Sequence, residues 1–509
     1  MALRTRLRRT AIRVLIAALV VSACTTNARR SDERPDPRRR TTALGADRFG
    51  RLDFANRLRI PPLLAPHIDA KGRKVFDLTV EQGTSSFLPG RTTTTFGANG
   101  GYLGPTLRAS RGDTVVVNVH NELPETTTLH WHGMHLPAVD DGGPHQTIAP
   151  GSTWSPTWQI DQPAATLWYH PHPDHRTAEQ VYRGIAGLFI LDDAHTAKLP
   201  LPKRYGIDDI PLILQDKRLA PDGSLDFADG APRNDGTTVF AHTGRLGTTI
   251  LVNGTYDPHV AVSERLIRFR LLNASDARVY NLGFSDDRAF ALIATDGGLI
   301  ERPRAMRRLQ LAPGERAEIV ATFRAGERVV LHSFAPDLGR NTFGAGLNGD
   351  GDSFDVLQIR AASALRAAGR LPTRLATLPP VEPSKATRTR HFVLQHSDRI
   401  NGHTMNMTRV DATVVADSTE IWDVEGFIPH DFHIHGVSFR VIGYGPGPLP
   451  PQLDGWKDTV FVPPFVTVRL LVVFGPYADA RHPYMFHCHI LQHEDNGMMG
   501  QFVVVRPST

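Results

Sequence analysis

Four histidine pairs of the form His-x-His decide what this chain can fold into: His130-Trp131-His132, His170-Pro171-His172, His433-Ile434-His435 and His487-Cys488-His489. About one such pair is expected by chance from 23 histidines, so a single pair would mean little. Four, split evenly between two distant segments, are not accidental. On a β-strand, residues two apart share a face, so each pair offers two imidazoles to one cavity. The early and late parts of the chain must then meet around that cavity. Eight imidazoles exceed the needs of one metal ion. Three ions, one taking two ligands and two taking three each, use all eight. Neutral imidazole suits copper, and open coordination positions would admit oxygen.

The last pair carries more. Cys488 is the only cysteine outside the leader, and it is flanked by His487 and His489, with His493 and Met498 following. Thiolate, imidazole and a weak thioether make the ligand set of a blue-copper electron-transfer site. In an extended segment Cys488 points to one side while His487 and His489 point to the other. One tripeptide thus touches two metal centres and joins them covalently. His430, three residues before His433, turns to the cysteine side. The mononuclear set reads as His430, Cys488, His493 and Met498, with Met499 as a competitor for the axial place. Other histidines, such as His120, His259 and His332, are isolated and read as ordinary core or surface residues.

At 509 residues the chain is too long for one core. Its 44 Gly and 38 Pro favour an all-β protein rich in turns. The formal charge of +5 misleads, because residues 1–40 hold 11 Arg against 3 acidic groups. The remainder holds 46 basic and 49 acidic residues, so no nucleic-acid footprint is expected. Two cysteines, Cys24 and Cys488, imply no disulfide framework.

Residues 1–24 read as an export signal: Arg4 to Arg13 form a basic start, and the apolar run Val14–Val21 is too short to span a bilayer. Val21-Ser22-Ala23-Cys24 resembles a lipobox, implying a lipid anchor on Cys24 as the only membrane attachment. Arg8-Arg9 resembles a twin-arginine signal. Residues 25–45 are expected to be a disordered tether. Three β-sandwich domains then follow at 46–200, 201–365 and 389–509, the last two separated by a linker at 366–388. Strands are expected at Val115–Val119, Leu188–Leu191, Leu212–Gln215, Leu266–Leu272, Ala317–Ala321 and Val466–Phe474, and a short helix at Ala361–Gly369. Because the outer domains carry the paired histidines, the metal cluster is expected at their interface.

These segments resemble the multicopper oxidase family. The resemblance rests on His130-Trp131-His132-Gly133, Trp168-Tyr169-His170-Pro171-His172, His430–Gly436 and His487–Met498. Weaker likeness lies at Leu272–Ser275, Leu311–Glu315 and Gly455–Val460. It implies three consecutive cupredoxin-like Greek-key domains and four copper ions, one type 1, one type 2 and two type 3. By this likeness His130 and His433 hold the type 2 ion. His132, His170 and His489 hold one type 3 ion, and His172, His435 and His487 the other. Every ligand position is filled, which argues against the copper-free members that share the fold. Asp141 and Glu494 match acids expected to supply protons, and Asp458 is a candidate support for a ligand.

The implied reaction couples four one-electron oxidations to reduction of O2 to two waters. The expected donor is Cu(I), with Fe(II) and phenols as further candidates, and the expected role is copper resistance in a periplasm-like space. A laccase acting on phenols and a non-catalytic copper-sequestering protein are the alternatives. The methionine-rich insert common in the copper-detoxifying branch is missing. Met405-Asn406-Met407, with His403 nearby, is its nearest approach, and Ile428 stands two residues before His430. A monomer is expected.

Overall fold

The computed structural model describes residues 49–227, 231–232, 238–239, 244–339, 348–367 and 369–507. The export signal, the tether, Arg8-Arg9 and Cys24 lie outside the described residues. With 47% strand and 6% helix, the chain is all-β and cupredoxin-like. Among the described residues the strands form three pairs of sheets besides a two-stranded ribbon.

In the first pair, a six-stranded sheet around Lys74–Ser85 and Thr114–Asn121 faces a four-stranded sheet ordered Leu107–Ser110, Gly187–Asp192, Thr166–His170, His130–His132. Their shared core includes Phe76, Val117, Trp131, Trp158, Tyr169 and Phe189. The middle pair joins a seven-stranded and a six-stranded sheet over Leu212, Phe269, Leu271, Ile319 and Phe354. Asn56–Arg57 pairs in parallel with Pro258 and His259 of this middle pair, so the chain's first described strand is shared with the second sandwich. The third pair packs a six-stranded sheet against a five-stranded sheet over Trp422, Phe432, Phe486 and Phe502.

One expectation is overturned. Ala361 and the residues after it do not form a helix. They continue the strand Phe354–Arg366, because Ala361 and Arg366 pair with Val262 and Glu264. Alanine's helix propensity is a weak prior, and a waiting strand edge outweighs it.

Register places the histidines. His130–His132 runs antiparallel to Thr166–His170, with His130 opposite His170 and His132 opposite Trp168. His430–Ile434 runs antiparallel to the end of Asp479–Cys488, with His433 opposite His487 and Phe432 opposite Cys488. The strands Thr166–His170 and His430–Ile434 are buried along their whole length.

Candidate metal centre

Strand alternation sorts the late ligands into two sets. Phe432, Ile434, Phe486 and Cys488 belong to the core of the third sandwich. His430 shares their face by parity, whereas His433 and His487 point the other way. The short helix Leu491–Asp495 then brings back His493. The Cys488 Sγ lies 3.5 Å from His430 Nδ1 and 3.5 Å from His493 Nδ1. Met498 is buried in the same core. Its N–H donates to His493 O at 2.9 Å, and its carbonyl accepts from Cys488 N at 3.1 Å. Met499 instead lines a groove with Phe392, His403 and Phe486. Burial pushes the Cys488 thiol up, while the N–H groups of Asp431 and Ile490 draw it down. Burial lowers His493 to about 3, leaving it a neutral imidazole.

The eight paired histidines form one buried cluster. His172, His435 and His487 converge through their Nε2 atoms, with His487 Nε2 3.2 Å from each of the other two. His132 Nδ1 lies 3.4 Å from His170 Nε2, and the His489 ring is 5.0 and 5.4 Å from theirs. His130 stacks on His435 at 3.8 Å, and His433 on His132 at 3.7 Å. Burial, with the neighbouring histidines added, holds His130, His132, His172 and His433 well below their ordinary value, and burial alone takes His487 to about 4.

Carboxylates fix the outward nitrogens. His435 Nδ1 donates to Asp141 Oδ2 at 2.7 Å, and the Asp141 carbonyl accepts from His130 Nδ1 at 2.9 Å. Glu494 spans two histidines: Oε1 is 3.2 Å from His172 Nδ1, and Oε2 is 3.2 Å from His487 Nδ1. Burial raises both acids well above the usual carboxylate range.

Profiles of the multicopper oxidase family match residues 79–196 and 377–508. The chain is 38% identical over 473 residues to the cell division protein FtsP of Xenorhabdus nematophila, covering 90% of this chain and 95% of that one. It is 35% identical over 457 residues to the multicopper oxidase mco of Staphylococcus haemolyticus, covering 88% and 92%. The laccase-like multicopper oxidase CueO of Ochrobactrum sp. superposes with a TM-score of 0.78 at 36% identity, covering 88% of this chain and 100% of that one.

The chain belongs to the multicopper oxidase family.

The donor atoms of this multicopper oxidase fit the metal its family implies. His130 Nε2, His433 Nε2 and both ring nitrogens of His489 are buried without a hydrogen-bond partner. Each such orphan costs about 1–3 kcal/mol, which a bound cation relieves. A buried thiol between two neutral imidazoles is likewise a donor set for a soft ion.

Sequence reasoning missed two supports in this multicopper oxidase. Thr459 Oγ1 lies 2.9 Å from His132 Nε2 and 3.1 Å from His433 Nδ1. Arg316, from the middle sandwich, forks onto Asp458, whose Oδ1 accepts from His132 Nε2 at 3.0 Å. Both residues sit inside or beside the weaker family segments, which was the available signal.

Proposed function

We propose that this chain is an exported, copper-loaded oxidase that takes single electrons at the Cys488 centre and uses them to reduce O2 to water at the eight-histidine cluster. The observation that carries this reading is continuity. Cys488 and His487 are adjacent on one strand, and their side chains point to the two different centres. His430, Cys488, His493 and Met498 would hold the type 1 copper. His130 and His433 would hold type 2. His132, His170 and His489, and His172, His435 and His487, would hold the type 3 pair. Bound there, copper supplies one-electron redox chemistry and the place where O2 is reduced.

The chain's own part is positioning and proton supply. Water formation consumes protons inside a wall of imidazoles that solvent does not reach. Asp141 and Glu494 are buried acids hydrogen-bonded or paired to that wall, and we assign them proton delivery. Copper-dependent oxygen uptake tests the reading. Uptake by a metal-replete Cys488→Ser variant at the parental rate refutes it, and no uptake by the loaded parent favours a copper-sequestering protein.

Cu(I) is the donor placed first, in keeping with copper resistance as the role. Met405 N–H donates to the carbonyl of Gly497 at 2.8 Å, so a thioether-bearing segment borders the residue before Met498. A second reading has its own observation. Phe427 and Phe465 are 55% and 71% exposed, with ring centroids 5.8 Å apart. Phe465 N–H donates to Gly426 O at 2.8 Å, and a Cβ added at Gly426 would lie 2.6 Å from the His430 ring. Exposed rings beside the edge of a mononuclear ligand suit a phenol. The Ochrobactrum relative is described as having oxidase activity towards lignin model compounds and lignosulfonate. Turnover on Cu(I), Fe(II) and a bulky phenol with one copper-loaded preparation ranks the donors.

The leader supports an envelope lipoprotein anchored through Cys24 and exported by the twin-arginine route. Among the described residues no helix is long and apolar enough to cross a membrane. Mass spectrometry of the mature amino terminus tests the anchor.

A further inference from the structure

We infer that Arg316 is a positioning residue for the trinuclear site, so that the middle sandwich, which contributes none of the eight histidines, sets the geometry of the cluster. The inference rests on the copper-oxidase reading above.

His132 is held the opposite way round from its neighbours. His130, His170, His433 and His435 are each anchored through Nδ1, to Asp141 O, Pro171 O, Asp458 O and Asp141 Oδ2. His132 is anchored through Nε2, to Asp458 Oδ1 at 3.0 Å and Thr459 Oγ1 at 2.9 Å, and turns Nδ1 toward His170. Its orientation depends on an Asp458 oxygen being in one place.

Arg316 provides that place. Its guanidinium is fully buried and grips both Asp458 oxygens, Nη1 to Oδ1 at 2.6 Å and Nη2 to Oδ2 at 2.5 Å. A planar fork on a carboxylate fixes its rotation as well as its charge, which an ammonium cannot do. Nη2 also donates to the Asp296 carbonyl at 3.2 Å, and two further contacts reach other supports of the cluster. Nε donates to the carbonyl of Thr166, on the strand that ends in His170. Nη1 donates to Gly314 O, and Gly314 lies against the His489 ring. Asp458 also gives its carbonyl to His433 Nδ1 at 2.8 Å. One side chain therefore reaches the supports of four histidines drawn from both outer sandwiches. Gly133, next to His132, roofs the pair: a Cβ there would come within 2.5 Å of Asp458 Oδ2 and 2.6 Å of Arg316 Nη2.

The test is Arg316→Lys, which keeps the charge and removes the fork, together with Thr459→Val, which leaves the ion pair whole. Each is purified, copper-loaded and compared with the parent by copper content per chain, thiolate–copper visible absorption and the EPR spectrum of the non-blue copper. The expected result for Arg316→Lys is parental visible absorption with copper content reduced by a quarter or more, or with an altered non-blue EPR signal. Thr459→Val should shift the same EPR signal by less. Parental EPR and copper content in Arg316→Lys overturn the inference. If that variant loses both centres together, Asp458→Asn decides, because it keeps the side-chain shape and removes the carboxylate that the fork grips; parental EPR and copper content there overturn the inference. A parent that binds no copper beyond the Cys488 centre fails the oxidase reading instead, so the two failures are distinct.

Discussion

Gly314 lies face-on against His489, so close that a Cβ added to it would come within 3.0 Å of Cγ, Cδ2 and Cε1 of the ring. Its φ of +78° is left-handed, a conformation glycine adopts without strain. His489 has no hydrogen bond at either ring nitrogen, so this backbone contact is what limits its position on that side. Gly314→Ala should therefore push the ring into the cluster and cost roughly 1–3 kcal/mol of stability from backbone strain. Copper analysis should show loss from the cluster, while the thiolate–copper absorption of the Cys488 centre remains.

The histidine pairs were legible because their information is local: spacing by two on a strand is a statement about one face. His430 and Cys488 were legible for the same reason, and His493 by its place five residues after the cysteine, although the short helix that turns it back was not foreseen. Arg316 was not. In Arg316-Ala317-Glu318-Ile319-Val320 the charges alternate with apolar residues, a pattern that ordinarily marks a strand with one wet face. Here both charges are buried, Arg316 against Asp458 and Glu318 against Arg268 and Arg270. Their partners lie far off in sequence, and only three-way packing of the sandwiches reveals them. Ala361–Arg366 failed in the opposite sense, because a local preference for helix yielded to a strand edge supplied from residues 258–264.

Glu494 bridges the Nδ1 atoms of His172 and His487 with its two oxygens. Glu494→Gln keeps the volume but turns one acceptor into a donor, so the pairing with one of the two imidazoles is lost. Loss of such an outer partner typically lowers activity or metal affinity 10–100-fold. Oxygen-uptake assays should show a fall of about that size, with thermal stability and visible absorption close to those of the parent. Parental turnover would remove Glu494 from proton delivery.

Acid should weaken the contact between the first and middle sandwiches through Glu318. Burial alone would raise its carboxyl, but Arg268 and then Arg270 overcome that and hold it at about 2. Glu318 Oε1 also accepts from Thr166 Oγ1 at 2.6 Å, on the strand leading to His170. A folded-state value below the unfolded one stabilises the fold fully above about pH 4.5. That contribution, on the order of 3 kcal/mol, is lost as pH falls from about 4.5 toward 2. Thermal unfolding followed from pH 7 to pH 3 should show a steep drop below about pH 4.5, and Glu318→Gln should start lower and decline less. Parallel curves for parent and variant would exclude this linkage.

The donor question reduces to which flank of the mononuclear centre is used. Phe427 and Phe465 meet in an edge-on pair over Gly426, whereas Met405 is tied to Gly497. An aromatic contact is worth about 0.5–1.5 kcal/mol beyond its buried area, so removing both rings should raise KM for a bulky phenol about tenfold. The Phe427→Ser/Phe465→Ser variant should show that rise with Cu(I) turnover intact. Met405→Leu, which conserves volume and removes the thioether, should do the reverse. Steady-state kinetics of both variants on both donors separates the cases. If Met405→Leu leaves Cu(I) kinetics unchanged while the phenylalanine variant loses phenol turnover, electrons arrive across Gly426 to His430. The chain is then a phenol oxidase.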